Sequence, residues 1–180
     1  MAADWILLHT VSPSGKKYVL DDQGIWAGPI AEFSLDCTIL EPLKAVFTVF
    51  VQEDGVLIRG ELTGTVSVPC DRCAEDAVVK IAQRVETYEG FPVEGAEQND
   101  LDVDTEILRF SPTGQGMEMN LAGLAWEEFS LALPMKPLCD PGCKGLCPSC
   151  GANRNTASCS CSADALDPRM APLRGLKLGR

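Results

Sequence analysis

Histidine is nearly absent: His9 is the single one in 180 residues. Most acid–base chemistry run from imidazole goes with it, and the motifs of other catalytic schemes are missing too. There is no Walker A loop, no G-x-S-x-G elbow and no H-E-x-x-H helix, which excludes P-loop nucleotide hydrolysis, elbow-type serine hydrolysis and zincin proteolysis. The adjacent acids Glu127 and Glu128 read as the solvated side of a helix. Neither an enzyme nor a small-molecule substrate is expected. Long apolar runs are lacking as well, none approaching the roughly 18 residues of a membrane span. The opening MAADWILLHTVSPSGKKYVL has neither a positively charged n-region nor a small-residue cleavage site, so no secretory signal is expected. These absences point to a cytoplasmic setting, where thiols stay reduced.

Cysteine, by contrast, is abundant. Six of the nine lie in LCDPGCKGLCPSCGANRNTASCSC, Leu138 to Cys161; Cys70 and Cys73 form a separate C-x-x-C in VPCDRC, and Cys37 stands alone. In a reducing compartment such clusters are metal ligands before they are disulfides. Charge is unevenly spread: residues 1–74 carry a net −5, residues 75–131 a net −10 and residues 132–180 a net +4. A basic, cysteine-rich end is thus attached to an acidic body. The apolar fraction of 46% suffices for one folded core.

The pattern along the chain predicts an α+β fold: a twisted antiparallel sheet built from long hairpins, with a packed helix and a C-terminal cysteine-rich zinc-binding module. Ala31 to Cys37 alternates Phe33, Leu35 and Cys37, a strand pattern after the turn at Gly28-Pro29. It places Cys37 on an apolar face, as a small buried hydrophobe. KAVFTVFVQ (44–52) and VLIRGELTGTVSVPC (56–70) flank the turn EDG as a hairpin, with Gly60 and Gly64 as sites for bulges. AVVKIAQRVETYE continues as a strand, so Cys70-Asp71-Arg72-Cys73 sits at a hairpin tip. Residues 90–104 are acidic and read as a loop. TEILRF is a short strand, and Asn120 caps LAGLAWEEFSLAL, whose helical stripe of Leu121, Leu124, Ala125 and Leu131, interrupted by Glu128, packs on the sheet with Trp126 and Phe129 alongside. Asp167-Pro168 opens a short basic helix.

Eight cysteines form four pairs: Cys70/Cys73, Cys139/Cys143, Cys147/Cys150 and Cys159/Cys161. Eight thiolates fill two closed tetrahedral shells, the coordination of structural zinc. Locality favours Cys147, Cys150, Cys159 and Cys161 as one site, leaving Cys70 and Cys73 to join Cys139 and Cys143 over a long sequence distance. The rival division keeps Cys139, Cys143, Cys147 and Cys150 together. Two structural Zn2+ ions are expected either way.

The hairpin bearing VPCDRC, an acidic loop, a helix ending SLALPMKPLC, CKGLCPSCGANRN, a C-x-C pair and a terminal DPRMAPLRGLKL together resemble the YceD family of large ribosomal RNA subunit accumulation proteins. The resemblance covers residues 28–180 and sets the organisation: an N-terminal segment (1–27), a core of sheet and helix (28–134), and the zinc module with its basic helix (135–180). It implies a bacterial or plastid factor that supports accumulation or processing of large-subunit (23S) ribosomal RNA without catalysis. Expected partners are the large-subunit precursor, met through ribosomal RNA or a basic ribosomal protein. Phosphate contact would come from Lys144, Arg154, Arg169, Arg174, Lys177 and Arg180, since the overall pI of about 4.5 argues against binding by the whole surface. A basic protein would instead dock on the −10 middle block. The alternatives are a zinc-thiolate redox sensor, or another zinc-ribbon interaction module.

Overall fold

The computed structural model describes residues 5–91 and 107–161. Most of the acidic loop, the basic helix beginning at 167, and Arg169, Arg174, Lys177 and Arg180 therefore lie outside the described residues.

The largest element is a four-stranded antiparallel sheet. Strands β2 (Lys16–Leu20), β3 (Thr38–Val51), β4 (Gly55–Pro69) and β5 (Asp76–Gly90) follow one another in space as in sequence. Period-two burial explains them: Leu43, Ala45, Phe47 and Val49 of β3 turn inward, as do Val56, Ile58, Leu62 and Val66 of β4. A second sheet of three short strands sets β7 (Met117–Asn120) between β1 (Trp5–Leu7) and β6 (Leu108–Phe110). Two helices, α1 (Gly24–Glu32) and α2 (Leu121–Ala132), complete an α+β fold with two antiparallel sheets. No described helix is long and apolar enough to cross a membrane.

Register between β3 and β4 shifts around Glu41 and Lys44, where Pro42 and Leu43 together face Gly64. The bulge expected at the glycines of β4 thus has its extra residue on β3. Gly64 answers it: with φ at +152° and the Leu43 side chain 2.7 Å from where a Cβ would stand, it admits the bulge. Leu43 loses its ladder partners there, and the Gln23 side chain replaces them. Its Oε1 accepts from Leu43 N at 2.9 Å and its Nε2 donates to Leu43 O at 2.8 Å.

Five expectations need correction. The strand expected over 31–37 is the end of α1 and an open turn. Asp22 Oδ1 accepts from Gly24 N at 2.9 Å to start the helix, which tolerates Pro29 within it, and Ser34 turns the chain at φ 51°. What fixes this helix is Trp26, fully buried, with Nε1 donating to Ala125 O of α2 at 3.4 Å. Phe33, expected to face inward, is 59% exposed and stacks on Trp126 at 6.0 Å between centroids. Cys37 consequently lies half-buried just before β3. On α2, Asn120 caps as expected, accepting from Gly123 N at 2.9 Å, but the buried stripe runs through Phe129 while Leu131 is 69% exposed. Glu128, expected to be solvated, is buried, and only Glu127 is exposed.

Residues 5–26 share the main core. β1 pairs with β7, β2 with β3, and Trp26 packs in one cluster with Phe47, Leu62, Met119, Leu124 and Phe129. A smaller cluster of Cys70, Cys73, Ala77, Cys143 and Leu138 forms at the far end of the β4–β5 hairpin.

Candidate metal centres

β4 and β5 pair in unbroken register from Gly55↔Gly90 to Pro69↔Asp76, so their rigid ladder carries a six-residue tip, 70–75. Within the tip Cys70 N donates to Glu75 O at 2.8 Å and Ala74 N to Cys70 O at 2.9 Å, coiling Cys70 and Cys73 to one side. After α2 the chain returns along this tip. Asp71 N donates to Pro137 O at 2.8 Å and Leu146 N to Arg72 O at 2.9 Å, which brings Cys139 and Cys143 alongside. Gly145, at φ +71°, makes the approach possible, because a Cβ there would stand 2.9 Å from Arg72 O. Arg72 Nη1 closes the arrangement by donating to Cys143 O at 2.7 Å.

The sulfurs of Cys70, Cys73, Cys139 and Cys143 all lie within 4.8 Å of one another, three of the four residues being buried. Cys73 Sγ is 3.5 Å from Cys139 Sγ, and Cys70 Sγ 3.8 Å from Cys143 Sγ. Disulfides would need about 2.05 Å; a tetrahedron with metal–sulfur bonds of about 2.3 Å has edges of about 3.8 Å. These residues fit a tetrathiolate ion.

The second foursome is Cys147, Cys150, Cys159 and Cys161, again with all sulfurs within 4.8 Å, and here only Cys147 is buried. Its first turn repeats the hairpin tip: Gly151 N donates to Cys147 O at 2.8 Å, and Cys147 N to Ala152 O at 2.8 Å. The structure therefore gathers the eight cysteines by the division that locality favours, and not as the contiguous 139–150 set.

Hydrogen bonding lowers some thiols of each foursome and raises others. Backbone amides, led by that of Cys139, bring Cys70 down to about 6. Asn155, whose Nδ2 lies 3.2 Å from the sulfur, lowers Cys143. Hydrogen bonding to Cys73 pushes Cys139 up to about 12. In the second foursome the amides of Cys150 and Ser149 bring Cys147 to about 6, while hydrogen bonding to Cys150 pushes Cys161 to about 12. A donor set of sulfur alone selects a thiophilic ion, zinc or iron, over calcium or magnesium.

Of the basic residues expected to make contacts, Lys144 and Arg154 are exposed on this module. Asp71, Glu75 and Asp140 are exposed on it as well. Sequence reasoning missed Arg72, Gly145 and Asn155. The one available signal was GANRN, where polar residues capable of bonding sulfur or backbone crowd behind the C-x-x-C turn.

The family model "Large ribosomal RNA subunit accumulation protein YceD" matches residues 58–177. The match takes in all eight clustered cysteines, and the chain belongs to this family. It is similar to the maize chloroplastic YCED homolog 1, a large ribosomal RNA subunit accumulation protein, at 25% identity over 82% of this chain. The chain spans 58% of that relative's length. An uncharacterized protein of Mycobacterium tuberculosis is 25% identical over 92% of this chain and 82% of its own. The Arabidopsis thaliana chloroplastic YCED homolog 1 is 38% identical over 26% of this chain and 15% of its own. No solved structure matches.

Proposed function

We propose that this protein is a non-catalytic ribosome-biogenesis factor of the cytoplasm, supporting accumulation or processing of large-subunit ribosomal RNA, with two structural zinc ions in its cysteine foursomes. The observation that carries the reading is the pair of closed four-sulfur sets inside a region matched by the YceD family. A closed shell leaves no position for a metal-bound water, which favours a structural role over hydrolysis. Zinc would tie the 70–75 tip to the segment after α2, so its binding free energy adds to that of folding.

The basic end would be the contact surface for the large-subunit precursor, with Lys144 and Arg154 on the described module and Arg169, Arg174, Lys177 and Arg180 following it. The test is co-sedimentation with ribosomal precursors across a salt series. Replacing Arg169, Arg174 and Lys177 by Gln should leave metal content intact, lower association, and flatten its salt dependence as phosphate contacts are lost. Unchanged association, abolished instead by neutralising the acids from Glu94 to Glu106, would move the contact to a basic ribosomal protein on the acidic block.

A further inference from the structure

The loop that closes the second foursome does not stay within it. Residues 151–158 join Cys150 to Cys159, and from this loop Asn155 reaches across to the first foursome. Its Nδ2 lies 3.2 Å from Cys143 Sγ, and its Oδ1 accepts from Lys144 N at 2.7 Å. Asn153 holds Asn155 in place by accepting from its backbone N–H at 3.0 Å, and touches Glu75 of the hairpin tip at 3.4 Å. Arg154 N donates to Gly145 O at 2.9 Å, and Leu146 bridges to Asn153. One amide side chain thus grips both the sulfur of one site and the backbone beside it, from a loop whose ends belong to the other.

We infer that the two cysteine sites bind metal cooperatively, and that Asn155 carries the coupling as a positioning residue for Cys143. This rests on the metal reading above. Closing the second site fixes the ends of the 151–158 loop, and so presents Asn155 to Cys143 without further loss of loop freedom. The bond from a neutral amide to a thiolate stabilises the charged, ligating form of the sulfur. By linkage, a metal in either site then raises the affinity of the other by the same factor.

The test follows occupancy of the first site alone. In the full chain, hydrogen-exchange protection of the 70–75 tip is measured across a series of buffered free zinc concentrations, with the β3 and β4 amides as the folding control. Removing the second site by Cys159→Ser with Cys161→Ser should raise the zinc midpoint of the tip about tenfold, the low end for losing an outer-shell partner. Asn155→Ala should do the same. The two changes combined should move it no further than either alone, because both remove one contact. Asn155→Asp, which keeps the acceptor for Lys144 N but sets a carboxylate against the sulfur, should raise the midpoint more than Ala. Unshifted midpoints, or shifts that multiply to about a hundredfold in the combined variant, overturn the coupling while leaving the sites themselves standing. If zinc gives the wild-type tip no protection at all, the metal reading falls and this inference with it.

Discussion

Ala74 and Gly151 occupy the same place in two copies of one turn. Each follows a C-x-x-C, each returns its N–H to the carbonyl of the first cysteine, at 2.9 and 2.8 Å, and each has positive φ, 60° and 74°. Only one of the two is a glycine. Left-handed backbone costs a residue with a Cβ about 1–2 kcal/mol, so the hairpin tip holds strain that the second turn avoids.

Exchanging the residue types should therefore have opposite effects. Gly151→Ala should destabilise its turn by about 1 kcal/mol through backbone strain alone, since a Cβ at Gly151 would meet nothing within 4 Å. Ala74→Gly should be neutral to stabilising, by up to about 1 kcal/mol, with glycine's greater unfolded freedom setting the limit. Denaturant unfolding at saturating zinc measures both.

Gln23 gives a second test, away from the cysteines. Its amide replaces the ladder bonds that the β3 bulge takes from Leu43. Gln23→Ala should cost about 1–3 kcal/mol by leaving a donor and an acceptor unmade. Gln23→Glu, which keeps only the acceptor, should fall between Ala and wild type in the same unfolding experiment.

Glu128 sets a pH dependence. Burial pushes its carboxyl above the ordinary range; Glu127 and Glu89 push it the same way, and a hydrogen bond with Gln83 partly offsets them. A raised folded-state value means that the stabilising proton is fully bound below the unfolded value and is lost as pH rises through the folded one. Above its folded value the ionised carboxylate thus weakens the packing of α2 on β5. Glu128→Gln should raise stability at pH 7 and remove the part of the gain that wild type shows on acidification toward its unfolded value. Glu89, also raised by burial, keeps its own share of that gain in the variant. Thermal unfolding of both proteins across this range separates the two.

What the sequence made readable was what local pattern dictates. Apolar residues at alternate positions of β3 and β4 are the physical cause of the long hairpin, and the short spacings of Cys147, Cys150, Cys159 and Cys161 leave them little choice but to meet. The misreadings have equally specific causes. Gly28 and Pro29 look like turn residues, and the helix that contains them is held by Trp26 against Ala125, a contact 99 residues away. Strands β1 and β7 have three and four residues, too short for a period to show, whereas the short strand expected in TEILRF is β6. Phe129 and Leu131 are equally apolar, and only the direction from which β5 meets α2 decides which is buried. Asn155 left only the polar crowding of GANRN as a signal, because its partners Cys143 and Lys144 come from another segment of the chain.

The most direct test of the functional reading is the ratio of large- to small-subunit ribosomal RNA in cells lacking this protein, restored with wild type or with a Cys70→Ser, Cys147→Ser variant. The ratio should fall in the deletion and recover with wild type. It should stay low with the variant, whose two metal sites each lack one sulfur. A ratio unchanged by the deletion would contradict a role in large-subunit RNA accumulation, and full recovery with the variant would contradict the need for metal.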